Sequence, residues 1–151
     1  MHGFTLVELV SVMLIIGILA AVAIPRLTSV DDFRSFAFHD EVAAGLRYAQ
    51  KTAVSHRRLV CATFTSQSLT LTIASSNPAG ACGTTAINRP TGGSTFAESP
   101  KAVISPVVGP LHFQPSGVVT SDAGGTAVAN FTVNISGANP ISVVGATGYV
   151  N

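Results

Sequence analysis

Phe4–Ile24 reads FTLVELVSVMLIIGILAAVAI, with Pro25 directly after it. Coiled at about 1.5 Å per residue, the run makes a helix about 31 Å long, close to the roughly 30 Å hydrocarbon core of a bilayer. The sequence therefore predicts an apolar helix over residues 4–26, able to span a membrane or to sit in a shared apolar core. One side chain breaks the pattern. Glu8 lies one turn in, where a carboxylate costs roughly 2.5–3.5 kcal/mol on insertion scales unless it is neutralised or paired. An acid kept at that cost marks a functional position and calls for a cationic partner. Gly17 allows close helix approach, and Pro25, lacking a backbone donor, kinks or breaks the helix.

A cleaved secretory signal is the competing reading, because Ala21-Val22-Ala23 resembles a small-residue cleavage site after an apolar stretch. Two features count against it. The residues ahead of the run, Met1-His2-Gly3, carry no Lys or Arg, and Glu8 interrupts the apolar segment.

Residues 27–58 continue as an amphipathic helix. Ser29-Val30-Asp31-Asp32 offers a capping box, a Ser with an acid three residues on. Phe38, Val42, Leu46, Ala49 and Ala53 recur at helical spacing and form one apolar stripe, predicted to cover a sheet. Asp31, Asp32, Asp40 and Glu41 occupy the first half of this helix, and Arg47, Lys51, Arg57 and Arg58 the second, an order that suits the helix dipole. A solvated face explains these charges. The sharper alternative sets the acidic half of one copy against the basic half of another, making Arg47, Lys51, Arg57 and Arg58 candidate subunit contacts.

Beyond residue 58 the period changes to two. Leu59–Phe64 and Leu69–Ile73, with a polar break at Ser66–Ser68, read as a β-hairpin. Residues 74–100, rich in Ser, Thr, Gly, Asn and Pro, read as a surface loop. Further strands are expected at 102–108, 111–114, 118–120, 127–135 and 141–150, so residues 59–151 form an antiparallel β-domain and the fold class is α+β. Cys61 and Cys82 have no CxxC spacing and no His at ligand spacing, which favours a structural disulfide over a metal site. Such a bridge ties the loop to the first strand and is worth roughly 3 kcal/mol on the chain-entropy estimate.

Only 10% of the residues are charged, and eight Lys plus Arg against seven Asp plus Glu leave a net charge of +1, so no global field attracts nucleic acid. His2, His39, His56 and His112 have no acid or nucleophile partner at motif spacing, and no HExxH, GxSxG, P-loop or dinucleotide fingerprint occurs. The chain reads as a non-enzyme without a cofactor or metal.

Gly3-Phe4-Thr5-Leu6-Val7-Glu8, followed by the apolar run and Pro25, resembles the prepilin processing motif of type IV pilins and type II secretion pseudopilins. The resemblance implies a type IV pilin fold, a long N-terminal helix packed on the β-domain. It also implies a three-residue leader, 1–3, removed by a prepilin peptidase that cuts after Gly3 and N-methylates Phe4. Glu8 matches the acid that pairs with the new amino terminus of a neighbouring subunit, the partner its burial demands. Pro25 matches the position near which the helix melts in filaments. The implied partners are other pilins or pseudopilins, met through the N-terminal helix, and an inner-membrane assembly platform. The implied location is the bacterial inner membrane, single-pass with a periplasmic C-terminal domain, and then the filament or its tip. The leader departs from the family pattern in lacking basic residues.

Leu46-Arg47-Tyr48-Ala49-Gln50 with Ala53, and Leu111-His112-Phe113-Gln114-Pro115-Ser116-Gly117, resemble the GspH/FimT branch of minor pilins and pseudopilins. That branch implies a minor subunit that initiates or caps a filament. The alternative is a pilus-tip module for DNA uptake or adhesion. DNA-binding members end in a Gly-Arg-containing loop, whereas Gly145–Val150 here holds no Arg, so nucleic acid is not an expected partner.

Overall fold

The computed structural model describes residues 5–27, 30–89, 92–93 and 95–151. The expected leader, 1–3, Phe4 and the expected cap residue Ser29 therefore lie outside the described residues. Among those residues are two helices, α1 (Leu6–Leu27) and α2 (Val30–His56), and nine strands.

The start of α1 is fixed locally. The Glu8 N–H donates to Thr5 Oγ1 at 3.3 Å, and the Ser11 hydroxyl donates to the Glu8 carbonyl at 2.9 Å. Thr5-Leu6-Val7-Glu8 thus has the spacing of a capping box, with Thr5 supplying the acceptor that the first turn lacks.

The predicted stripe on α2 is the floor of the core: Val42, Leu46, Ala49 and Ala53 are fully buried, and Phe38 nearly so. Gly45 lies on the same buried side because a Cβ there would meet Phe96 Cδ1 at 2.7 Å and Leu69 Cδ2 at 2.8 Å. At the far end the Arg57 N–H donates to the Val54 carbonyl and the Arg58 N–H to the Ala53 carbonyl, the two bonds of a Schellman cap. Arg57 closes it with φ at 51°, in the left-handed region where glycine is the favoured residue.

Two antiparallel sheets meet α2. The larger consists of β1 (Val60–Phe64), β2 (Ser68–Ile73), β3 (Thr85–Ala86), β4 (Ala97–Glu98), β5 (Leu111–Phe113) and β6 (Val119–Thr120). Its order is β3-β2-β1-β5-β6, with β4 also on β2. The hairpin read from the sequence forms: Val60 stands opposite Ile73 and Phe64 opposite Leu69. Alternation does the rest, since Val60, Ala62, Phe64, Leu111 and Phe113 face α2 while Cys61 and its cross-strand neighbour His112 face away. The smaller sheet, β7 (Phe131–Val133), β8 (Ile141–Val144) and β9 (Tyr149–Val150), sends Val133, Ile141, Val143 and Val150 into the same core.

Four stretches differ from the sequence reading, the first being 127–135, where only Phe131–Val133 is a strand and Val128 and Ile135 form isolated bridges. Residues 102–108 hold a single bridge, Ile104 to Ile135, and no strand, because Pro106 and Pro110 remove ladder donors. Residues 141–150 divide into two strands around a turn at Gly145–Gly148, where the Gly148 N–H donates to the Val144 carbonyl at 2.7 Å. Within 74–100, β3 and β4 extend the sheet and Phe96 and Ala97 are buried. The last turn before β6 needs its glycine: Gly117, φ 93°, donates to the Gln114 carbonyl at 2.9 Å.

After β6, Asp122 organises its loop. Its carboxylate accepts from the Thr126 N–H at 3.0 Å, the Thr126 hydroxyl at 3.1 Å and the Ala127 N–H at 2.7 Å. These bonds, led by that from the Thr126 backbone, hold its carboxyl below the ordinary Asp value.

Two outcomes are expected. Arg57→Gly relieves the left-handed strain and raises stability by about 0.5–1 kcal/mol in chemical denaturation, the strain relief being partly offset by a looser unfolded chain. Asp122 has a lowered folded pKa, so its contribution is present above the unfolded value of about 3.9 and is lost as pH falls through the folded value. Asp122→Ala is therefore less stable than wild type near neutral pH, and the two converge in strong acid when denaturation midpoints are compared.

Candidate functional site

Every large apolar side chain from Leu6 to Val22 is exposed, from 46% at Val12 to 78% at Leu6. A helix apolar all round has no water-facing side, so its cover is lipid or other helices. Glu8, in the first turn of α1, is the acid within this surface, and Pro25 lies in the last turn. The processing residues Gly3 and Phe4 lie outside the described residues.

Among the described residues no helix is long and apolar enough to cross a membrane. The run read over Phe4–Ile24 starts one residue ahead of the described residues, and its part from Leu6 onward lies in α1.

On α2 the side opposite the buried stripe carries Phe33, Phe36, Asp40, Ala44, Arg47, Lys51 and Val54, all exposed. Arg47 also has a task within the chain, since its Nε donates to the Val150 carbonyl at 3.3 Å, and Gln50 Nε2 donates to the Thr147 carbonyl at 2.8 Å. These two bonds fasten the last hairpin to α2. Arg57 and Arg58 are exposed in the cap that follows. Glu41 does not belong to a free acidic face: Arg89 Nη2 lies 3.1 Å from its Oε2, and Arg89 Nε donates to the Phe96 carbonyl at 2.7 Å. Phe96 in turn stacks on Tyr48 at 5.6 Å between ring centres. Arg89 and Phe96 carry no sequence signal for this role, being far from Glu41 and Tyr48 along the chain. Thr5 did carry one, the T-x-x-E spacing with Glu8.

Cys61 and Cys82 are joined, with Cα atoms 5.7 Å apart. The bond lies on the face of the sheet away from α2, where Leu59, Cys61 and Ala74 form a small second core. His112 stands beside it with Nδ1 3.3 Å from the Thr120 carbonyl. Cys61, Cys82 and His112 have donor atoms within 4.8 Å of one another, but both sulfurs are committed to each other, which leaves one imidazole as a ligand.

A long helix packed on an antiparallel β-domain, preceded by an uncovered apolar helix with an acid at its head, is the α+β layout of a type IV pilin-like protein. Comparison with known proteins agrees. Residues 1–24 match the prokaryotic N-terminal methylation motif. The chain is 47% identical over 51 residues to the type IV narrow pilus major component PilA5 of Thermus thermophilus. That match covers 34% of this chain and 44% of the relative's length. No solved structure matches. Motif and relative support a likeness to type IV pilins, a class of structural subunits not known as enzymes.

The disulfide closes a ring with a sequence separation of 21. Cys82→Ser is expected to cost about 3 kcal/mol, measured by urea denaturation, and a reductant is expected to remove the same stability from wild type but none from the variant.

Proposed function

We propose that this chain is a filament subunit of a type IV pilus or type II secretion pseudopilus, cut after Gly3 and N-methylated at Phe4. It acts as a minor subunit that helps to start or cap the filament. The carrying observation is the uncovered apolar surface of α1, with Glu8 at its head, in a chain bearing the methylation motif. Cutting after Gly3 creates a cationic amine close to the capping turn at Thr5. The Glu8 carboxylate of one subunit takes the amine of another as its counter-charge, which offsets the cost of placing an acid among apolar helices. Before assembly α1 anchors the chain in the inner membrane, with the β-domain on the periplasmic side. Pro25, lacking a backbone donor, is the point at which the helix lengthens on assembly. Arg47, Lys51, Arg57 and Arg58 contact neighbouring subunits.

The minor-subunit reading rests on the stretches that resemble that branch, in which Leu46, Ala49 and Ala53 are buried and Gly117 forms a turn. A second reading, a principal pilus subunit, is favoured by the relative, whose name describes a major component.

Mass spectrometry of the chain recovered from filaments tests the central claim. The expected species begins at a methylated Phe4, and a mature N-terminus at Ile24 refutes it. Glu8→Ala is expected to be processed normally yet to enter filaments at least about tenfold less well, equivalent to about 1.4 kcal/mol. Normal entry removes the pairing role.

A further inference from the structure

Three metal-ligating side chains converge on the face of the larger sheet turned away from α2. The donor atoms of Cys61, Cys82 and His112 all lie within 4.8 Å of one another. No spacing in the sequence announces this, because the pairing of β1 with β5 sets His112 opposite Cys61, and Cys82 comes in from the loop between β2 and β3. His112 is only 6% exposed, and its Nδ1 lies 3.3 Å from the Thr120 carbonyl oxygen. A carbonyl oxygen accepts and cannot donate, so Nδ1 carries the ring proton and Nε2 keeps its lone pair. Among the described residues Nε2 has no hydrogen-bond partner. An imidazole with one N–H held by a backbone carbonyl and the other nitrogen free has the tautomer and the fixed orientation of a metal-bound His.

We propose that, before the Cys61–Cys82 bond forms, these three side chains bind a zinc ion through two thiolates and one imidazole. With Zn–S about 2.3 Å and Zn–N about 2.0–2.1 Å, the ligand atoms of a tetrahedral site stand roughly 3.5–3.8 Å apart. The Cα atoms of the two cysteines are 5.7 Å apart, so the unbonded sulfurs reach that separation by side-chain rotation. Cys82, the least buried of the three, gives the ion its way in. Three protein donors leave the fourth position to water. Both thiols release their protons to solvent as the two Zn–S bonds form. A disulfide oxidant that later takes an electron pair from the two thiolates, together with two protons from solvent, becomes a dithiol; the Cys61–Cys82 bond closes and the ion leaves. Ion and disulfide therefore exclude each other, and each ties the loop at Cys82 to β1. The ion does so in the chain whose covalent bond has not yet been made.

Zinc binding by the full-length chain in detergent tests the inference. A phosphine reduces the bond under argon, gaining an oxygen from water as the two thiols form, and is then removed. Titrated against a chromophoric chelator, the reduced chain is expected to hold one equivalent of zinc, and the oxidised chain to bind it at least about tenfold more weakly. Cobalt in place of zinc gives a sulfur-to-metal charge-transfer band, and zinc raises the urea midpoint of the reduced chain but not of the oxidised one. His112→Asn keeps an N–H donor near the place of Nδ1 and removes Nε2, and is expected to weaken zinc binding at least about tenfold. Closure of its Cys61–Cys82 bond in air, read as resistance to alkylation, shows that it folds. Cys82→Ser, which needs no reduction, is expected to weaken binding as much. Equal zinc binding by the reduced and oxidised chains, or an unchanged urea midpoint of the reduced chain, overturns the site. Wild-type affinity in His112→Asn removes the imidazole and with it the three-ligand proposal.

Discussion

Phe38, Val42, Leu46, Ala49 and Ala53 form the seam on which both sheets depend. The smaller sheet has strands of two to four residues, too short to hold together alone in water, and the larger one would expose Val60, Ala62, Leu111 and Phe113 without a cover. Each sheet buries its apolar side against the same helix. With Leu46 and Ala49 fully buried at the centre, the two sheets share one core, and Gly45 gives Phe96 and Leu69 the space to reach it. The bonds from Arg47 and Gln50 to the last hairpin close the remaining edge. Shape is thereby decided mainly by burial, with a few polar contacts fixing the ends.

The two helices solve opposite problems. One side of α2 is covered by its own chain and the other is polar enough for water, whereas α1 is apolar on every side and has no cover of its own. A sequence that spent residues on a well-packed domain and left a neighbouring helix bare makes sense only if the bare helix meets a different solvent. The chemistry of Glu8 follows from that. An acid in such a surface is stable in company and costly alone, so one carboxylate gives the helix a reason to associate by position as well as by area.

Much of this was legible beforehand, because the features concerned are local and periodic. The α2 stripe repeats at helical spacing, the β1–β2 hairpin alternates, and the unbroken run from Leu9 announces the apolar helix. The paired cysteines followed by elimination. What stayed hidden depends on residues distant in sequence. Arg89 reaches Glu41 across 48 residues, and nothing near either one signals it. Phe96 sits in a polar stretch whose composition suggests surface, yet its single ring is buried because Gly45 receives it. The strand expected near Ile104 failed for a local reason that Pro106 and Pro110 spelled out. The proposed processing residues lie outside the described structure, and the T-x-x-E spacing that makes Thr5 a cap for the turn at Glu8 went unread.

The manner in which α2 lies against the sheets has a mechanical consequence. A pull along the axis of α2 does not peel one contact at a time. It loads the buried stripe in shear, so that Phe38, Val42, Leu46, Ala49 and Ala53 resist together, each adding many small dispersion contacts that must fail at once. The bonds from Arg47 and Gln50 lie within that line, between Leu46 and Ala53, and the disulfide lies on the other face of the sheet. A pull along α2 is thus shared by the whole buried stripe rather than concentrated at one contact.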